Sequence, residues 1–172
     1  MFEKGEYVMY SCHGCCIIAD YSEVEMDGAM KMYYHLTPIG ENRTVIMTPV
    51  DNQKVRIRKI ISGEEGKKIF GAIQELEDLE WIDNRTQRSQ NFKNVIREGS
   101  TQELAQLVKT LLWKKMESRL EKQKFTVADT NVLRDAEKLL YSELSASIQM
   151  DLGQIKEQIN KKLQEKFETL GV

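Results

Sequence analysis

Lys54-Val55-Arg56-Ile57 and, shortly after it, Ser62-Gly63-Glu64-Glu65-Gly66 mark the point at which this chain of 172 residues changes its pattern. Upstream, Tyr7-Val8-Met9-Tyr10, Cys16-Ile17-Ile18, Met32-Tyr33-Tyr34-His35-Leu36 and Thr44-Val45-Ile46-Met47 are strand-length runs rich in β-branched and aromatic residues. Gly5 and Gly14 bracket the first run, Asp27-Gly28 is a hairpin turn signal, and Pro38-Ile39-Gly40-Glu41-Asn42 parts the third run from the fourth. Pro49 ends the fourth strand, Asp51 is placed to cap a single helical turn, and residues 54–57 supply a fifth strand. Downstream, apolar residues recur at spacings of three and four, the period of a helix. The fold expected is α+β, with a small, strongly bent antiparallel sheet over residues 1–62 and an all-α helical bundle over residues 63–172.

Within the second half, residues 65–76 form the first expected helix, with Ile69, Phe70, Ile73 and Leu76 on one face, and an acidic connector over 77–83 follows. A helix over 85–97 is polar apart from Phe92, Val95 and Ile96, which predicts a surface position, and Gly99 ends it. Ser100-Thr101-Gln102-Glu103 is a capping-box pattern, and Leu104, Leu107, Val108, Leu111 and Leu112 give the stripe of a core-facing helix. Thr126-Val127-Ala128-Asp129 opens another, buried through Val132, Ala136, Leu139, Leu140 and Leu144. Leu152, Ile155, Ile159, Leu163, Phe167 and Leu170 continue the spacing to the end. That last face either extends the bundle or docks on another helix, so self-association through the C-terminal helix stays open. The sheet half would resemble a small barrel of the Tudor or SH3 kind.

With 41% hydrophobic and 30% charged residues, the composition is that of a globular chain rather than a disordered one. A charged N-terminus and the lack of any run of membrane-spanning length disfavour secretion and insertion. Cys12, Cys15 and Cys16 crowd into one short window, which does not suit a disulfide framework and fits a reducing cytoplasm. Cys12-His13-Gly14-Cys15-Cys16 invites a zinc or thiol reading, yet the ligands are too close together to converge on one tetrahedral ion, and only His35 stands ready elsewhere. Cys16 falls where a strand residue faces a core, and Gly14 suits a turn that a side chain would strain. No metal or cofactor is called for. Two histidines, with neither a Gly-x-Ser-x-Gly elbow nor a phosphate-cradling glycine loop, leave no catalytic set, and an enzyme is not expected.

Charge is distributed in blocks. Residues 1–84 carry 9 Lys and Arg against 15 Asp and Glu, whereas residues 85–124 carry 10 against 4, a local surplus of +6 in a chain of net charge −2. Such a block is either a solvated helix face or a footprint for a polyanion. Trp81 stands at its edge, between an acidic run and Arg85 and Arg88, where an aromatic residue needs a reason. It either packs back on the helical core or presents an apolar wedge beside arginines, the combination by which minor-groove proteins exploit an unstacked base step.

Phe2-x-x-Gly5-x-x-Val8-x-Tyr10-x-x-His13-Gly14, the Asp27-Gly28 hairpin followed by Tyr33-Tyr34-x-Leu36, and Thr44-Val45-Ile46-Met47-Thr48-Pro49 precede a helical half that ends in Ala136-Glu137-Lys138-Leu139-Leu140-x-x-Glu143-Leu144. In this order they resemble the CarD family of bacterial transcription regulators, whose N-terminal domain is shared with transcription-repair coupling factors. The resemblance implies a non-enzymatic, cytoplasmic protein, associated with the nucleoid through RNA polymerase. Its Tudor-like domain would dock on the polymerase β subunit, and its helical domain would contact promoter DNA in the minor groove at the upstream edge of the open bubble, modulating open-complex stability. It places the DNA wedge at Trp81, with Arg85, Arg88, Lys93, Arg97, Lys114 and Lys115 as basic partners. Polymerase contacts fall on Val24, Thr44, Val45, Ile46 and Met47. Ser11 stands where relatives usually have Pro, Cys15-Cys16 replace a Val-Gly type pair, and Ile46 or Met47 replaces an Arg used on the fourth strand. The distance from Trp81 to Gly99 is about one helical turn longer than is usual. Two readings from other classes are a zinc or thiol protein centred on the cysteines and an adaptor that binds another helix and never touches DNA.

Overall fold

A computed structural model describes residues 1–10, 13–41 and 43–171. Ser11 and Cys12 of the cysteine cluster, and Asn42 of the expected turn, lie outside the described residues. The chain divides into two compact units, Met1–Ile60 and Ile61–Val172.

The first unit is a five-stranded antiparallel sheet of β1 (Tyr7–Tyr10), β2 (Gly14–Met26), β3 (Ala29–Pro38), β4 (Ile46–Pro49) and β5 (Ile57–Lys59), in the order β4-β3-β2-β1-β5. Asp27 and Gly28 both have positive φ, 53° and 75°, which closes the β2–β3 hairpin in the primed turn geometry that an Asp-Gly pair favours. Gly14, at φ 84°, begins β2 directly opposite Tyr10 at the end of β1, in backbone that a side chain would strain. A register shift between Ile18 and Asp20 bends the long β2–β3 ladder. Val8, Tyr10, Cys16, Ile18, Tyr34 and Leu36 make the core, with Phe2, Ile46, Val50, Val55 and Ile57 packed against it.

Two expectations change in this unit. The fifth strand pairs with β1 through Ile57, Arg58 and Lys59, three residues later than the sequence pattern placed it. Val55 supplies the apolar signal, but it packs on the core from a segment outside any strand, where the Asn52 side chain already accepts the Lys54 N–H at 2.9 Å. The expected helical turn capped by Asp51 is instead a simple turn in which the Asn52 N–H donates to the Pro49 carbonyl at 3.1 Å.

The second unit is helical: α1 (Gly63–Ala72), α2 (Arg85–Glu98), α3 (Thr101–Leu120), α4 (Val127–Ile148) and α5 (Leu152–Thr169). Ser62 and Glu65 form a complete capping box, so α1 starts two residues earlier than expected, and it tightens at Ile73–Glu75 into a 3-10 turn instead of running on to Leu76. Ser100 and Glu103 form the second box, as their spacing predicts. Gly66 permits the close approach of α1 to α4, because a Cβ there would meet Ser147 Oγ at 2.4 Å. The expected stripes on α3 and α4 are buried throughout. So are Ile155, Ile159, Leu163 and Phe167 of α5, while Leu170 is exposed. Of the two alternatives for that face, extension of the bundle is the one these four residues follow. No helix among the described residues is long and apolar enough to cross a membrane.

Candidate nucleic-acid and polymerase interfaces

Trp81 sits in residues 76–84, a stretch without helix or strand that joins the 3-10 turn to α2. A segment of this kind satisfies few of its own backbone groups, so side chains from elsewhere must do so. On its upstream side Leu79 N–H donates to Thr110 Oγ1 of α3 at 2.9 Å, and Lys109 Nζ of α3 donates to the Leu76 carbonyl while pairing with Asp78 Oδ1 at 3.1 Å. On its downstream side Arg88 of α2 donates through Nη1 to the carbonyls of Ile82 at 2.6 Å and Asp83 at 3.3 Å. The rest of that guanidinium makes a two-pronged bond with Asp129 of α4, Nε to Oδ1 at 3.1 Å and Nη2 to Oδ2 at 3.0 Å. Asp129 Oδ2 also accepts from the Thr126 hydroxyl at 2.6 Å, and its own N–H donates to that hydroxyl oxygen at the start of α4.

Between these two fastenings Trp81 is half-buried. Its ring lies 4.2 Å from the Arg88 guanidinium carbon, 5.6 Å from Lys114 Nζ and 6.1 Å, tilted, from the ring of buried Phe92. The two alternatives of the sequence meet here: the tryptophan packs on the helical unit with part of its surface left in solvent. Trp113 instead packs edge-on against Phe167 at 5.2 Å, also half-buried.

The expected basic partners separate into two kinds. Arg85, Lys93 and Arg97 are exposed on α2, Arg97 within 3.0 Å of Glu98. Lys114 is half-buried and pairs with Glu117 at 2.7 Å, and Lys115 lines a groove between α3 and α5 with Arg119, Asn160 and Phe167. Arg88 belongs to neither group, being 4% exposed and committed to Asp129 and two carbonyls. Its burial argues against the expected contact with DNA: four of the five N–H groups of the guanidinium are taken up inside the protein. Lys109, another member of the +6 block, is buried as well. The external charge of the block is accordingly smaller than the sequence count.

On the sheet unit, β4 is one of the two end strands, and four of the five residues expected to meet polymerase lie on it or just before it, the fifth, Val24, being on β2. Val45 is 60% exposed and Met47 49%, whereas Ile46 turns inward onto the core, as strand alternation requires. Ile46 is thereby removed from the outward contact set. Thr44 is exposed and precedes the strand, which begins two residues later than its sequence run. Met47 pairs across β3 with His35, whose Nε2 lies 2.8 Å from Ser22 Oγ on β2. Val24, paired with Lys31, follows Ser22 by two residues and so shares that outward face. Cys15 and Cys16 are buried, Cys16 in the core of the sheet. Among the described residues no group of three or more His, Cys, Asp and Glu side chains could hold a metal ion, and Cys12 lies outside them.

The chain thus has two parts, a small sheet that ends in β4 and a helical unit in which Trp81 lies half-buried beside Arg88 and Lys114. Residues 2–61 match the CarD-like/TRCF RID domain and residues 68–160 match the CarD C-terminal domain; the chain belongs to the CarD family. These domains are regulatory and non-catalytic, and they point to RNA polymerase interaction and transcription regulation. The TRCF RID domain is an RNA polymerase β-subunit interaction domain. A search of curated proteins returns no match to the chain.

Proposed function

We propose that this protein docks its sheet unit on the polymerase β subunit and sets Trp81 into the minor groove at the upstream edge of the promoter bubble, changing the stability of the open complex. The observation that carries the reading is the placement of Trp81: a half-buried indole on a fastened connector, with Lys114 near its ring and exposed Arg85 and Lys93 on the helix that follows. An apolar wedge of this kind gains affinity only where a base step is already unstacked. Because it favours the open state over the closed one, it shifts the equilibrium by that difference in affinity and no more. Arg85, Lys93, Arg97, Lys114 and Lys115 add attraction to phosphate without reading sequence. Docking through Thr44, Val45 and Met47 at the β4 edge, with Val24 on β2, supplies a high local concentration of the helical unit at the promoter, so its own DNA affinity can be low.

The test is Trp81→Ala. A coupling of the usual size lengthens open-complex lifetime by about five- to 150-fold, and the substitution should remove that gain while polymerase binding stays intact. An unchanged lifetime effect in the variant rules the indole out as the wedge.

A further inference from the structure

Two cations buried under a connector with no regular structure are an uneconomical way to make a bundle stable. A buried ion pair contributes little net stability compared with apolar residues of the same volume, because both charges lose their water. What such a pair does supply is geometry. Arg88 uses one guanidinium to join three elements: Asp129 on α4, the carbonyls just after Trp81, and the indole itself at 4.2 Å. Lys109 and Thr110 fix the connector just before Trp81, through Leu76, Asp78 and Leu79. The indole is held from both sides along the chain.

We propose that Arg88 and Asp129 are positioning residues for the wedge, with Lys109 and Thr110 completing the latch, so that Trp81 meets the DNA junction already ordered. This rests on the reading of Trp81 as the wedge. An unfastened connector would have to be ordered when DNA binds, and the entropy lost would be subtracted from the affinity difference that acts on the open complex. The latch moves that loss into folding. The proposal also separates Arg88 from a phosphate contact, because the two roles demand different things of the side chain. A phosphate contact needs a positive charge, which Lys also carries. The latch needs a planar fork that bonds a carboxylate on one edge and carbonyls on another, which Lys does not have.

The experiment uses the full chain carrying Trp113→Phe, so that Trp81 alone emits. Arg88→Lys and Asp129→Asn are each compared with that parent by acrylamide quenching of the free protein and by open-complex lifetime on polymerase. Arg88→Met with Asp129→Leu, which removes both charges together, serves where either single variant fails to fold. The quenching constant should rise about twofold or more, the mark of local opening in an otherwise folded chain. The effect on lifetime should fall about five- to tenfold, the loss of an ordinary coupling energy. Asp129→Asn gives the sharpest sign. Removing a negative charge near DNA would strengthen a purely electrostatic contact, whereas loss of the latch weakens the effect. Unchanged quenching in folded variants overturns the proposal, as does a full lifetime effect from Arg88→Lys. Raised quenching with lifetimes unaltered both here and in Trp81→Ala sinks the wedge reading and the positioning role with it, leaving a latch that only packs the connector.

Discussion

The β4 edge of the sheet unit and the Trp81 connector of the helical unit are ordered by opposite means. At β4 the backbone is ordered by pairing with β3, and the side chains that look outward, Val45 and Met47, are exposed. At Trp81 the backbone has no helix or strand to order it, and side chains from α2, α3 and α4 do so: Arg88, Lys109, Thr110 and Asp129. A strand edge carries its main-chain donors and acceptors whatever its side chains are, so such a surface would still offer a ladder to pair with where Ile46 or Met47 stands in place of an arginine. A connector has no such reserve. Its geometry depends on particular residues far apart in sequence, and the loss of one of them is felt at the tip.

The contrast breaks most severely at Phe92, which is 1% exposed and lies beneath Trp81. Phe92→Ala leaves a cavity and should cost about 3–5 kcal/mol, read as a lower urea midpoint at unchanged slope. A loss below 1 kcal/mol would mean that the connector has collapsed onto the gap and that its position is not fixed. At the sheet edge, Val45→Asp with Met47→Asp should leave stability within about 0.5 kcal/mol, since both residues are exposed. Polymerase affinity should nevertheless fall by about 2 kcal/mol, roughly thirtyfold, if these two anchor the docking. Affinity within a factor of two, measured with purified polymerase, would move the docking surface away from β4.

The smallest effect concerns the cap of α3, which orients the helix that carries Lys109, Thr110 and Lys114. Glu103 accepts from the Ser100 N–H and from the Ser100 hydroxyl, and these bonds hold its carboxyl below the ordinary glutamate value of 4.5. A carboxylate lowered in the folded state stabilises above its unfolded value, and that contribution is lost as pH falls through the lower folded one. Glu103→Gln should therefore flatten the acid limb of stability below pH 4.5 and change little at neutral pH. An acid limb identical to that of the parent would mean that Glu103 is not bonded to Ser100 in solution.

These sites were not equally legible. The hairpin at Asp27-Gly28, the box at Ser100 and Glu103, and most of the apolar stripes of α3, α4 and α5 are local signals that survive into the fold, whereas those at Asp51 and Lys54-Val55 do not. Ser62 and Glu65 carried the same signature and went unread because glycines follow the serine and look like a boundary rather than a helix start. The buried pairing of Arg88 leaves no such mark, because its partner Asp129 lies 41 positions away. In a polar helix the sequence offers no means of telling a paired guanidinium from a solvated one. Lys109 and Thr110 did leave a trace, as two polar residues inside the run Leu107-Val108-Lys109-Thr110-Leu111-Leu112, but only the connector lying over that face gives it meaning. Trp81 stands out by its misfit with its neighbours, and the residues that hold it do not.

The central claim is that Trp81 touches promoter DNA at the upstream edge of the bubble. A photoreactive phenylalanine analogue placed at position 81 of the full chain, irradiated in the open complex with polymerase, tests it most directly. The account predicts crosslinks to DNA at the upstream junction, dependent on bubble formation and absent on closed promoter. Crosslinks that fall on polymerase subunits, or on DNA equally in closed and open complexes, would contradict it.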